Sequence, residues 1–384
     1  MQKYILFIMS FFLLVGCSKQ QPESDVSLKE VPFSELQGFD ADDMLGAYKA
    51  FRRSCEAVSL QSGEYLGKSA IKINRNDYLT ICAKSAGIMP AKFKDFIKDN
   101  FVPYLVTYKK SSEGKFTAYY EAELKASYQR DDVYKYPVYG RPYDLIELNL
   151  QDFDPTLPNK KLIGRVDSGK LVPYYTREHI SKNGANAPVI LWADSNIDIY
   201  VMQIQGSAVA HMKDGSKIRI SYANSNGRPF RGIGSILLSK GLVKPGNASM
   251  GSIKKWLREN PSLAEINMNE NERYIFHRLG NPEGPLGAQG VPLTAGRSLA
   301  VDKSFVPLGA LLWLETSLPG GTPMSKLVVA QDIGSAIKGA VRGDYFWGSG
   351  GDNILEEAGK MNSKGQYYIL IPKHSESVNG QENK

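Results

Sequence analysis

Histidine and cysteine are scarce in this chain, with four of the first and three of the second among 384 residues. His179, His211, His277 and His374 stand apart, without the spacing or partners of a metal site, so no metal and no cofactor is expected. With no histidine near them, the cysteines form neither a Cys–His nucleophile nor a ligand set. Apolar runs long enough to cross a bilayer are missing, and no segment repeats internally.

The one pronounced apolar run, Ile5 to Val15, is too short to span a membrane and follows Lys3. A positive start, a short apolar core and the ending Leu14-Val15-Gly16-Cys17 make the three parts of a secretory signal over residues 1–17. That ending resembles the bacterial lipoprotein processing site. The resemblance implies lipidation of Cys17 and, with Ser18 next, a lipid anchor on the periplasmic face of the outer membrane. Several acyl chains, at about 0.8 kcal/mol per buried methylene, hold such a protein stably. Residues 18–34 are polar and carry Pro, Ser and Gln, which predicts a flexible tether.

Without the signal, 46 Lys and Arg face 40 Asp and Glu, leaving a formal charge near +6. Mild basicity suits an anionic polymer, and an exported lipoprotein has little occasion to meet nucleic acid. Cys55 and Cys82 remain once Cys17 is lipidated. In an oxidising periplasm they either close a disulfide, worth about 3–4 kcal/mol through loop entropy, or lie as two buried thiols. The bridge is the expectation carried forward.

About 350 mature residues exceed one comfortable core, so two domains are expected. Text from Leu36 to Ile97 is helical, with acidic residues opening Asp42 to Phe51 and proline opening Pro90 to Ile97. From Phe101 short β-rich runs follow, among them Lys115 to Tyr120, Pro188 to Trp192 and Ile197 to Gln205. Helices are predicted at Ile233 to Lys240, Met250 to Glu259 and Ile354 to Met361. Further strands are predicted at Leu299 to Val301, Leu311 to Glu315, Leu327 to Asp332 and Gln366 to Ile371. Short strands with frequent turns suggest β-barrels. The tail 374–384 is polar and reads as disordered.

The richest stretch is Ala330 to Gly348, where Asp332 and Asp344 sit in glycine-rich text that predicts turns, a common way to present chemistry. Upstream lie Phe116-Thr117-Ala118-Tyr119-Tyr120-Glu121, Tyr136-Pro137-Val138-Tyr139-Gly140-Arg141-Pro142, and Gln203-Ile204-Gln205-Gly206-Ser207. Then come Ser221-Tyr222-Ala223-Asn224-Ser225-Asn226-Gly227 and Pro292 to Asp302. In this order, over roughly residues 110 to 350, the segments resemble the membrane-bound lytic murein transglycosylase A (MltA) family with its C-terminal three-aspartate module. Ala208 and Ala122 replace a glycine and a proline of the family pattern.

The resemblance implies a mainly β fold: a double-psi β-barrel domain with appended helices (35–120 plus 272–373) and an inserted β-barrel-like domain (121–271). It implies cleavage of the β-1,4 bond between N-acetylmuramic acid (MurNAc) and N-acetylglucosamine (GlcNAc) of peptidoglycan, the muramic 6-hydroxyl forming a 1,6-anhydro end during cell-wall turnover. Asp344 then serves as acid and base. One carboxyl group suffices because the nucleophile is tethered, an advantage of ~7–11 kcal/mol. That role needs a raised pKa. It is expected from an apolar wall of Tyr345, Phe346 and Trp347, with Arg342 and Lys338 turned to solvent or substrate. Asp332 is either a second catalytic carboxyl, raising Asp344 by repulsion, or a holder of backbone amides. Tyr119, Tyr120, Gln205, Ser207, Tyr222, Asn226 and Asp302 are the expected glycan-binding residues. Expected partners are peptidoglycan strands, the lipid anchor and cell-wall synthesis complexes, with the protein a monomer. A hydrolytic muramidase and a non-catalytic wall-binding lipoprotein are the rival readings. Neither Asp332 nor Asp344 opens an Asp-Thr-Gly or Asp-Ser-Gly triplet, so an aspartic-protease pair has no support.

Overall fold

The computed structural model describes residues 25–245 and 249–373. The signal, Cys17, the first part of the predicted tether and the tail 374–384 lie outside the described residues. Within the segment predicted as a tether, Val26–Glu30 is instead strand β1, paired antiparallel with β2 (Phe101–Tyr108). Three helices separate these strands: α1 (Leu45–Ser59), α2 (Arg75–Ser85) and α3 (Phe93–Asn100). Asp42 and Asp43 precede α1 rather than opening it. The Asn74 side chain caps α2 by accepting from the amides of Asn76 and Asp77. Cys55 of α1 and Cys82 of α2 form a disulfide.

The architecture turns on β3 (Gly114–Ser127), a single strand of 14 residues. Its first half belongs to one sheet region with β12 (Ser298–Val301), β13 (Leu311–Ser317), β14 (Pro323–Asp332), β15 (Arg342–Ser349) and β16 (Asn362–Pro372), once the intervening strands are counted. Those intervening strands are β4 (Tyr136–Tyr139), β5 (Ile146–Asn149), β6 (Lys161–Asp167), β7 (Lys170–Pro173), β8 (Val189–Ala193), β9 (Ser207–Met212), β10 (Lys217–Ser225) and β11 (Ile275–Leu279). Hydrogen bonding runs β16–β13–β14–β12–β15–β3, and β3 pairs back to β16, so six strands close a circuit. The core inside it and under α1 to α3 is built from Trp313, Phe51, Phe93, Phe101, Phe116 and Tyr367 among others, all fully buried.

The second half of β3 leaves that circuit and pairs parallel with β9, which continues antiparallel to β10 and β11. A second core forms around Leu124, Leu191, Met202 and Ile220. The three-stranded sheet of β5, β6 and β7 flanks it. Helices Ile233–Ser239, Met250–Glu259 and Pro261–Asn269 pack together and against Ile197 and Tyr200. The fold is thus mainly β with a second, inserted unit. No helix among the described residues is long and apolar enough to cross a membrane.

One predicted strand is a helix. Ile197 to Gln205 lies in the helix Asn196–Gln205, where Ser195 caps the start and Gly206, at φ 92, ends it in the left-handed region. Its apolar residues are buried on nearly every side, so a periodicity of two or 3.6 could not be told apart. The opposite error concerns Asp344, expected on a turn: Arg342–Ser349 is strand β15. Gly343 permits this, because a Cβ there would stand 2.9 Å from Leu299 and 3.0 Å from Phe116.

Two buried ion pairs lock the strands. Arg297, before β12, donates to both oxygens of Asp42 at 2.6 and 2.8 Å, with both residues almost wholly buried. Glu121, in the middle of β3, accepts from Arg219 Nε at 2.7 Å and from the Ser349 hydroxyl, joining β10 to the end of β15. Removing one partner strands a buried charge. Asp42→Ala is therefore expected to destabilise the protein by about 3–5 kcal/mol, read from chemical denaturation against the unsubstituted protein.

Candidate active site

The parallel register of β15 on β3 sets Asp344 opposite Thr117 and Phe346 opposite Tyr119. Alternation then puts both side-chain pairs on one face. The Thr117 hydroxyl donates to Asp344 Oδ1, and Arg342 Nη2 donates to the same hydroxyl oxygen at 2.8 Å. Tyr119 and Phe346 rings lie 5.2 Å apart. β14 ends at Asp332, whose Oδ1 accepts from the amides of Ala288 and Ile333 at 2.9 Å each. Its Oδ2 accepts from the Tyr119 hydroxyl at 2.9 Å. Tyr119 therefore bridges the two strands that carry the aspartates.

Both carboxyls stand at the foot of a cleft of about 730 Å³ between the six-stranded circuit and the inserted unit. Each keeps an edge toward the cleft and is enclosed elsewhere by protein. Burial pushes the Asp344 pKa above the ordinary carboxylate value, against the Thr117 hydrogen bond and the Arg342 charge. Asp332 is pushed up to about 6, first by burial, with the Asp344 charge adding to it and three hydrogen bonds opposing. Burial thus shifts both carboxyls in the same direction, toward the neutral form. Burial also drives the Tyr119 phenol well above its usual value, so it remains a donor.

The expected site residues divide. Tyr119, Gln205, Ser207, Tyr222, Asp302, Asp332 and Asp344 line the cleft together. Gln205 accepts from the Tyr120 amide, at 3.3 Å. Tyr120 does not join them: its place on β3 turns the ring into the second core, where it is 4 % exposed. Asn226 does not either. Its amide group donates to the carbonyls of Tyr175 and Glu272 and accepts from the Tyr274 amide, which makes it a buried clamp. Asp302 spends its oxygens on Ser304 and on the Gly339 amide at 3.0 Å. Burial raises its pKa, but these bonds and the Lys338 charge outweigh that and hold it below the ordinary value. It thus anchors the loop after Asp332.

The expected apolar wall is narrower than three aromatics. Phe346 shares the Asp344 face, whereas Tyr345 lies across the strand in the first core. Arg342 and Lys338 line the cleft, the substrate side of the expectation, yet the Arg342 charge still works against the raised pKa, and desolvation prevails. Thr117 went unnoticed as a site residue, although it stands inside the Phe-Thr-Ala-Tyr-Tyr run. Among the described residues no group of His, Cys, Asp and Glu could hold a metal.

A charged Asp332 costs folding energy that a neutral isostere avoids. Its folded-state pKa lies above the unfolded value, so the wild type loses stability as pH rises from about 4 through 6. Asp332→Asn keeps acceptors for the two amides and escapes this loss. Its melting temperature should match the wild type near pH 4 and exceed it above pH 6.5, a gain of about 1–3 kcal/mol in thermal scans across pH.

Two family models match the chain: the MltA specific insert domain over residues 115–278 and the 3D domain over residues 297–371. The MltA crystal structure from Neisseria gonorrhoeae in its monoclinic form is 31% identical, with a TM-score of 0.79 over 92% of this chain and 94% of that one. A membrane-bound lytic murein transglycosylase from Agrobacterium tumefaciens is 31% identical, with a TM-score of 0.78 over 90% and 98%. Membrane-bound lytic murein transglycosylase A of Escherichia coli K12 is 29% identical over 265 residues. That match spans 67% of this chain and 65% of the relative, just under two thirds of its length. The insert match takes in β3 from Lys115 onward and the strands it leads into, the 3D segment supplies both aspartates, and on this agreement of fold and sequence the chain belongs to the MltA family.

Proposed function

We propose that this protein is a lytic transglycosylase that cleaves the β-1,4 MurNAc–GlcNAc bond of peptidoglycan without water, leaving 1,6-anhydro-MurNAc ends. The observation that carries this reading is Asp344: an enclosed carboxyl in the cleft, bonded to Thr117 and biased toward its neutral form. Neutral Asp344 donates its proton to the glycosidic oxygen as the C1–O4 bond breaks. The muramic 6-hydroxyl then bonds C1, and its proton returns to Asp344. Atoms balance with no water consumed, and the carboxyl is regenerated.

Hydrolysis needs a second carboxylate to direct water or to attack the sugar. Asp332 is poorly suited to either task, since both its oxygens are engaged by Ala288, Ile333 and Tyr119. It serves instead to fix the Tyr119 hydroxyl. Gln205, Ser207 and Tyr222 on the insert wall are suited to hydrogen-bond and stack an extended glycan. The six-strand circuit is read as the double-psi barrel of the family. An outer-membrane lipid anchor at Cys17 and a monomeric state complete the proposal, with wall-synthesis complexes as partners.

Digestion of purified wall sacculi tests it. Asp344→Asn should lower soluble muropeptide release about 10²–10⁴-fold, and products of the unsubstituted protein should lack one water relative to reducing ends by mass. Reducing-end products would make the protein a muramidase, and full activity of Asp344→Asn would remove it as the acid. Arg342→Met deletes the charge that favours ionised Asp344. The alkaline limb of the pH–rate profile should then move to higher pH, whatever the loss in rate; a shift downward or none would contradict the assigned electrostatics.

A further inference from the structure

Arg177 opens the helix Arg177–Asn183, behind the Thr176 cap, and is 5 % exposed while lining the same cleft as Asp344. Its guanidinium lies 4.6 Å from the Tyr200 ring centroid and 5.2 Å from that of Tyr274. Nε donates to the Asn271 carbonyl at 3.0 Å and Nη2 to the Arg273 carbonyl at 2.5 Å. Among the described residues no carboxylate pairs with it, and Nη1 makes no hydrogen bond. The contrast with Arg297 on Asp42 and Arg219 on Glu121 is direct, because those guanidiniums each meet a buried carboxylate. An unpaired buried charge is costly, and burial pulls the Arg177 pKa down against two phenols only.

A second unmet group stands beside it. Gln203 is 5 % exposed, lines the same cleft and bonds Tyr274, yet its Oε1 has no partner. A fixed guanidinium nitrogen and a free amide oxygen in one cleft wall match a carboxylate with an N–H or O–H close by. The proposed substrate carries such groups on the lactyl arm of muramic acid, either as the free lactyl carboxylate or on the attached peptide.

We infer that Arg177, assisted by Gln203, is a specificity-determining residue that pairs with a carboxylate borne by the lactyl arm of MurNAc. This rests on the transglycosylase reading, and a binding test keeps the two separable. Calorimetry on the Asp344→Asn protein compares five ligands: peptide-bearing strands, peptide-stripped strands, each of these with carboxylates converted to amides, and a chito-oligosaccharide of equal length. Free-carboxylate strands should bind about 10–100-fold more tightly than their amidated forms. Arg177→Met should bring the two together, and Arg177→Lys, which keeps charge without the planar fork, should restore part of the gap. A preference confined to stripped strands assigns the lactyl carboxylate, and one confined to peptide-bearing strands assigns the peptide. Equal affinity for free and amidated strands overturns the inference, as does an undiminished gap in a folded Arg177→Met protein. Should that variant not fold, the amidation comparison decides alone. Failure of the transglycosylase reading shows separately, as absence of anhydro products from the unsubstituted protein.

Discussion

The parallel pairing of β15 with β3 is the constraint on which the site depends. It sets Thr117 against Asp344 and Tyr119 against Phe346 in one register. A slip by one residue would turn each of these side chains to the opposite face. Because β3 continues into the inserted unit, the same strand that orients the carboxyl also carries the far wall of the cleft. Glu121 fastens that joint by accepting from Arg219 on one side and Ser349 on the other. The strand that braces the carboxyl and the strand on which the insert is built are therefore one continuous piece of backbone.

Electrostatics in the cleft is a balance that desolvation wins. Arg342 and the Thr117 hydroxyl favour ionised Asp344, while enclosure disfavours it more strongly. Asp332 feels the same enclosure, and three hydrogen bonds only partly offset it. Asp302 shows the other outcome, with amide and hydroxyl donors prevailing over a milder burial. The pKa values of three aspartates in one module are thus displaced up or down according to how many donors each meets and how far water is excluded. Around them the cleft is lined by several arginines and lysines, Arg177 and Arg342 among them, which suits an acidic polymer.

The chain itself announced a good part of this. Strand text at Lys115 to Tyr120, Leu311 to Glu315 and Gln366 to Ile371, and the helix at Met250 to Glu259, stand where expected, because local pattern and burial agree there. Asp344 and Asp332 were marked by their ordered motifs, and both lie in the cleft. Readings failed where periodicity was uninformative. Helix Asn196–Gln205 is buried almost all round, and strand Arg342–Ser349 is masked by glycines that serve close packing rather than turning. Tyr120 and Asn226 were chosen by motif position, which says nothing of the direction a side chain takes.

Sequence alone determined the residue types at the chemistry, the family resemblance and the two cysteines that form the bridge, since these follow from composition and local order. Only tertiary structure decided that Thr117 touches Asp344, that Asp42 meets Arg297, and that Arg177 stands in the cleft wall without a counter-charge. Those contacts join residues separated by hundreds of positions in two of the three cases. Strand register and the exclusion of water are properties of the packed chain, and no local run of residues encodes them.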